Sequence, residues 1–198
     1  VQESARKRYA RILARYDDQS LYLAYRVFAP RSAMKNVGQD DRLLFKSGDA
    51  VDLMIGPESS KESTGNMRVL MTFKDGKTPV AVLNVKKDPT ASADEKFDFS
   101  SPWRTISFDR VVVSRNINLA SRGTHGGFIV EASIPWSELG VTPESGLRLK
   151  ADVGVLFGDG GTQTVSRQYW SNQATGLVND VPGEADLVPA AWGTFTLE

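Results

Sequence analysis

Met67-Arg68-Val69-Leu70-Met71-Thr72-Phe73-Lys74-Asp75-Gly76-Lys77-Thr78-Pro79-Val80-Ala81-Val82-Leu83-Asn84-Val85-Lys86 reads as a β-hairpin. Two apolar runs flank Asp75-Gly76, a pair suited to the tight turn whose central residues take positive φ. The same pattern recurs upstream. Tyr9 to Tyr16 alternates, with Ile12, Ala14 and Tyr16 on one side and Arg11, Leu13 and Arg15 on the other. Asp17-Asp18-Gln19-Ser20 is a turn, because short Asp and Ser side chains hydrogen-bond local backbone groups. Leu21 to Phe28 then resumes period two. Further strands are expected at Asp49 to Gly56, Trp103 to Phe108, Arg110 to Asn116, Gly127 to Ile134, Leu147 to Phe157 and Trp192 to Leu197. Pro135 to Gly140 reads as one helical turn, with Pro suited to its first position. There is no long amphipathic helix, no repeat and no low-complexity tract. About nine or ten short strands separated by turn signals predict an all-β antiparallel sandwich of jelly-roll or immunoglobulin-like type.

The totals agree. The 198 residues suffice for one domain, read as 1–198, and 40% hydrophobic with 24% charged residues is a globular composition. Lys plus Arg and Asp plus Glu are 24 each. A net charge of zero supplies no bulk attraction to nucleic acid or to an anionic membrane, although a local patch is compatible with it. Without cysteine there are no disulfides, thiolate metal sites or Cys nucleophiles. That fits a cytoplasmic protein and a disulfide-free secreted bacterial one equally. No apolar run approaches the roughly 18 residues of a membrane span, so membrane insertion is not expected. The start, Val1 to Arg8, has no apolar core of a signal peptide, and the missing initiator Met suggests a piece excised from a longer chain.

Four connections are long and polar: Ala29 to Gly48, Pro57 to Asn66, Lys87 to Pro102 and Gly158 to Pro189. Connections of such length in a compact domain are often functional.

Several strands carry a mid-strand charge opposite their aliphatic stripe. Arg26 lies with Tyr22 and Ala24, Asp52 with Ala50 and Met54, and Arg68 with Leu70 and Thr72. Glu131 lies with Ile129 and Ser133, and Asp152 with Lys150 and Gly154. One reading is that these faces meet water. The other is that they converge on one concave face, where mixed signs pair and bind a polyhydroxylated ligand, carboxylates accepting from hydroxyls and arginines donating. Aromatic rings complete such a site, since they pack on the apolar face of a sugar. Trp136 and Trp192 read as core and Trp103 could serve either role. Trp170, beside Tyr169, Ser171 and Asn172, reads as a stacking platform or a loop anchor.

Four ordered segments carry a resemblance: Tyr16-Asp17-Asp18-Gln19-Ser20-Leu21-Tyr22-Leu23-Ala24, Gly48-Asp49-Ala50-Val51-Asp52-Leu53-Met54-Ile55, Glu131-Ala132-Ser133-Ile134-Pro135-Trp136-Ser137-Glu138-Leu139-Gly140, and the closing Trp192-Gly193 strand. Together they resemble the family 9 carbohydrate-binding modules and their DOMON-like relatives over nearly the whole chain. The resemblance implies a β-sandwich that binds mono- or oligosaccharides, commonly at glycan chain ends. It also implies a non-catalytic accessory module of a secreted, periplasmic or cell-surface protein, with the other domains of its parent chain as neighbours. Members hold the sugar between two Trp rings with a carboxylate, an Arg and an Asn. By that resemblance Asp52 matches the carboxylate, Arg68 the Arg, Trp170 the second Trp and Asn172 its partner. The first Trp is replaced by Phe45-Lys46-Ser47, where Phe45 could substitute. Arg26, Glu131 and Asp152 would form the supporting network. Members often carry structural calcium, for which Asp17 with Asp18, and Asp159 in Gly158-Asp159-Gly160-Gly161-Thr162, are oxygen clusters; neither matches an EF-hand loop.

Three rivals stand beside this reading. An enzyme would need a carboxylate pair such as Asp52 with Glu131 or Asp152, since His125 is the single histidine and stands in a Gly-rich turn. A haem-binding DOMON-like domain would need ligation by Met and His. An interaction module would bind no sugar at all.

Overall fold

The computed structural model describes residues 8–59, 64–160, 162–174 and 180–198. The opening residues 1–7, residues 60–63 of the Pro57 to Asn66 connection, Gly161 of the candidate calcium loop, and residues 175–179 of the last long connection lie outside the described residues.

Two antiparallel sheets face each other. The smaller has the order β1 (Tyr9–Tyr16), β2 (Ser20–Phe28), β10 (Gly127–Pro135), β9 (Asn118–Thr124). The larger runs β12 (Thr164–Tyr169), β11 (Arg148–Gly158), β3 (Ala50–Pro57), β4 (Met67–Lys74), β5 (Thr78–Val85), β8 (Arg110–Ser114). Its seventh strand, β13 (Gly193–Thr196), also pairs with β11. β12 and β13 lie end to end along β11: β12 covers Gly154 to Gly158, and β13 covers Arg148 to Ala151. β6 (Phe97–Ser100) and β7 (Thr105–Phe108) form a separate hairpin. The predicted Asp75-Gly76 turn is formed, with φ of 50° and 72°, the positive values that a two-residue hairpin turn demands.

The main core fills the space between the sheets. Leu23, Tyr25, Val27, Phe128 and Val130 of the small sheet meet Val51, Leu53, Val69, Met71 and Val153 of the large one, all buried. Trp136, on the short helix α1 (Trp136–Leu139), closes one end, its indole N–H donating to the Asp17 carbonyl at 2.8 Å. Truncating a fully buried ring such as Phe128 would cost about 3–5 kcal/mol through lost burial and the cavity left behind.

A second core lies on the far side of the large sheet. Ala50, Met54, Leu70, Val82 and Leu156 project there and are covered by a layer built from the long connections. The layer comprises a 3-10 helix at Asp41–Lys46, the β6–β7 hairpin, helix α2 (Val181–Ala185) and the segment through Trp192. Phe45, Phe99 and Phe108 pack edge to face within it, with centroids 5.8 and 5.4 Å apart. The large sheet is thus apolar on both faces, as a sheet covered on both sides must be.

The sandwich stands as expected, with differences confined to short or edge elements. The described residues hold thirteen strands. β6 falls inside the connection read as Lys87 to Pro102, and β12 and α2 inside the one read as Gly158 to Pro189. β9 was not expected at all. β9 and β12 are edge strands with polar residues on both faces, so they lack the period-two signature.

Candidate functional site

The charged strand positions do not share one face. Asp52, Arg68 and Asp152 project from the outer face of the large sheet and are wholly buried beneath the covering layer. Arg26 and Glu131 project from the outer face of the small sheet, on the opposite side of the sandwich. The single concave face expected from alternation is therefore divided in two. Period two separates core-facing from outward positions but cannot say which sheet a strand joins.

Asp52 and Arg68 form a bidentate ion pair, with Nε to Oδ1 at 2.9 Å and an Nη to Oδ2 at 2.6 Å. The Tyr169 hydroxyl donates to the same Oδ2 at 2.5 Å. The other Arg68 Nη donates to the Glu184 carbonyl of α2 at 3.2 Å, and the guanidinium stands 5.1 Å from the Phe45 ring centroid. Burial, then the adjoining Asp52 carboxylate, push the Tyr169 phenol well above its ordinary value, so it remains a donor. Asp52 and Arg68 therefore spend their hydrogen-bonding capacity on each other, on Tyr169 and on α2. They lie below the surface, not at it. Phe45 is buried with them, at 1% exposure, and offers no open ring. The place of a first stacking ring is filled by packing against Phe99 and Arg68.

What this network holds is the segment that follows β12. Tyr169 is tied to Asp52, and the Trp170 N–H donates to the Val153 carbonyl at 2.9 Å. Asp152 Oδ1 accepts from the Ser171 N–H at 2.9 Å and Oδ2 from the Asn172 N–H at 2.8 Å. Desolvation raises the Asp152 carboxyl above its ordinary value, against the lowering pull of those N–H groups. The structure thus connects Asp52, Arg68, Asp152, Trp170 and Asn172 through the backbone after β12, with the charges on the outer face of the large sheet and the Trp170 ring at its inner edge beside Val153, Val155 and Phe195.

Trp170 is 54% exposed. Its indole is packed against Gly193, where an added Cβ would sit 2.2 Å from the ring, and tilts against Phe195 with centroids 5.7 Å apart. The sandwich opens here, between the edge strand β1 and the β12–β13 edge. A cavity of about 370 Å³ is lined by Tyr9, Ile12, Gln168, Trp170 and Phe195. A neighbouring groove of about 610 Å³ is lined by Tyr16, Trp170, Thr194, Phe195 and Glu198. Asn172 Oδ1 accepts from the Ala174 N–H at 2.9 Å, which leaves its side-chain NH₂ to donate. Phe195 and Gly193 had no distinctive sequence signal as site residues; only pairing of β13 beside β12 brings them under Trp170.

Trp136 and Trp192 are core, each 3% exposed, whereas Trp103 is 86% exposed at the β6–β7 turn. Asp17 accepts from the N–H groups of Gln19 and Ser20 and from the Tyr22 hydroxyl, bonds that hold its carboxyl below its ordinary value. Asp18 accepts from the Gln19 side chain, and Asp159 from the Gln163 N–H. No group of three or more His, Asp or Glu arranged to hold a metal ion occurs among the described residues. All four methionines are buried, while His125 stands on the exposed β9–β10 turn. No helix among the described residues is long and apolar enough to cross a membrane.

Asp49 is a structural residue the sequence did not single out. Fully buried, it pairs with Arg31 at 2.9 Å and accepts from the N–H groups of Gly158 and Lys35. It fastens the Ala29 to Gly48 connection to the end of β11.

This fold is that of the family 9 carbohydrate-binding modules. It matches such a module from Caldicellulosiruptor kristjanssonii in two complexes. With glucose the TM-score is 0.54 at 12% identity, over 99% of this chain and 80% of that one. With cellotriose it is 0.56 at 12% identity, over 99% and 78%. A protein of Bacteroides uniformis described as a candidate carbohydrate-binding protein matches at 0.51 and 12% identity, over 100% and 82%. No protein-family profile and no curated sequence matches the chain.

Proposed function

We propose that this domain binds carbohydrate without transforming it, as an accessory module of a larger extracellular protein, and that Trp170 is its stacking platform. The observation that carries the reading is the half-exposed indole packed against Gly193 at the open edge of a sandwich with the family 9 fold. A pyranose presents an apolar C–H face to such a ring. Gln168 lines the cavity and Thr194 the groove, where they meet its hydroxyls, and Asn172 follows two residues after the ring with its side-chain NH₂ left to donate. Asp52 and Arg68 act across the sheet by fixing Tyr169, and Asp152 by fixing Ser171 and Asn172. The non-catalytic part of the proposal rests on the carboxylates. Asp52 is neutralised by Arg68, and Glu131 lies across the sandwich from it, so the two cannot flank one glycosidic bond.

The test is a glycan array followed by calorimetric titration of the best ligand, for wild type and Trp170→Ala. Binding to a restricted set of sugars that is lost in the variant supports the platform. Binding that survives moves the site elsewhere. A folded wild-type protein that binds no glycan overturns the proposal.

A further inference from the structure

Nothing among the described residues covers the outer face of the small sheet, and its register arranges the side chains in rows across the strands. Arg11 pairs with Arg26, Arg26 with Ile129, and Ile129 with Arg122. Three arginines therefore stand in one line across the sheet, over about 14 Å at strand spacing. The next row is Leu13, Ala24, Glu131 and Ala120, and the one beyond is Arg15, Tyr22, Ser133 and Asn118. The alanines make a floor, and the longer residues around them enclose a basin of about 440 Å³.

Two observations set this face apart. Arg31, Arg42, Arg68, Arg104, Arg110 and Arg148 each have a carboxylate partner. Arg11, Arg26 and Arg122, the three of the row, have none among the described residues; Arg15, two rows on, lies in the field of the Asp17 carboxylate, which accepts from the Tyr22 hydroxyl. Arg26 is also pre-placed: its guanidinium lies 5.1 Å from the Phe28 ring centroid, and Phe28 is stacked on Tyr9 at 4.2 Å.

We infer that this face binds an acidic polysaccharide. The arginine row takes the carboxylates of its uronic acid units, and Glu131 accepts from a hydroxyl of the same chain. Guanidinium groups match carboxylates in geometry and charge. Adjacent rows are two residues apart along the strands, about 7 Å, and a uronate ring carries its carboxylate and its far hydroxyls on opposite sides. Glu131 is what favours a sugar over a nucleic acid. It accepts from hydroxyls, which a sugar chain carries on every ring and a DNA backbone lacks. This surface is separate from the Trp170 groove and does not depend on what that groove takes.

The experiment is affinity electrophoresis of the 198-residue chain in gels containing polygalacturonate, a neutral cellulose derivative, or duplex DNA, with fluorescence titration for affinity. Polygalacturonate should retard the wild type, less so as salt rises. Arg26→Gln/Arg122→Gln should weaken that binding by about tenfold or more, as loss of two charge-assisted contacts requires. Glu131→Gln should weaken it less, and Trp170→Ala should leave it unchanged while altering only the neutral-glycan arm. Absence of retardation by polygalacturonate overturns the inference, as does a double variant that binds like wild type. DNA binding as tight as polygalacturonate, strengthened in Glu131→Gln, would show a plain anion patch and overturn it as well. Loss of neutral-glycan binding alone would strike only the Trp170 reading.

Discussion

The outer faces of the two sheets begin from the same pattern and end differently. Several strands carry a charge opposite their aliphatic stripe. On the large sheet those charges lie under a covering layer, and every one is matched: Asp52 with Arg68 and Tyr169, Asp152 with three backbone N–H groups. On the small sheet nothing among the described residues covers them, and Arg11, Arg26 and Arg122 stand without carboxylates. A charge under a roof must be paired to persist, whereas a charge in water is free to wait for a ligand.

The comparison breaks most sharply at Arg68. Arg68→Ala leaves the Asp52 carboxylate buried without its partner and should cost about 3–5 kcal/mol, read by urea unfolding. Arg26→Ala on the open face should stay within about 0.5 kcal/mol. Equal losses would show that the roof does not isolate its charges. Replacing both partners, Asp52→Leu with Arg68→Met, should recover most of the loss, since an apolar pair leaves no stranded charge in a site lined by Phe45 and Leu70.

Smaller effects probe how the roofed face supports the ring. Asp152→Asn removes an acceptor from the Ser171 and Asn172 N–H groups. It should cost about 1–2 kcal/mol and shift Trp170 emission to longer wavelength. Gly193→Ala should unseat the indole with a stability change of about 0.5 kcal/mol or less, visible as changed emission and weakened sugar binding. The least effect concerns pH. Because the folded protein holds the Asp152 carboxyl above its ordinary value, its contribution is full below the unfolded value and is lost as pH rises through the raised one. Wild type should lose stability over that interval relative to Asp152→Asn, and parallel unfolding curves would refute it.

The elements legible in the sequence were those with a two-residue period and a strong turn: the Asp75-Gly76 hairpin, the Tyr9 to Phe28 hairpin and the strand ending at Pro135-Trp136. The sandwich follows from them. What alternation could not reveal was the covering layer, because its segments are short, aperiodic and held by contacts remote in sequence, such as Lys46 with Glu184. The burial of Asp52 and Arg68 depends on that layer, so the residues of the network were legible and their depth was not. Trp170 was legible as a loop aromatic among amides. Its seat on Gly193 was not, since it arises only where two distant strands meet along β11.

That meeting has a consequence for the protein's solubility. β11 is an eleven-residue strand whose side chains are almost all buried. Neither β12 nor β13 spans it; each shields one half. If either came away, β11 would present unpaired N–H and C=O groups along an apolar strand, the kind of border onto which another chain adds itself. The seam at Trp170 is thus also a guard against self-association. Truncating the chain before Gly193 should show itself first as aggregation, before any loss of strand content.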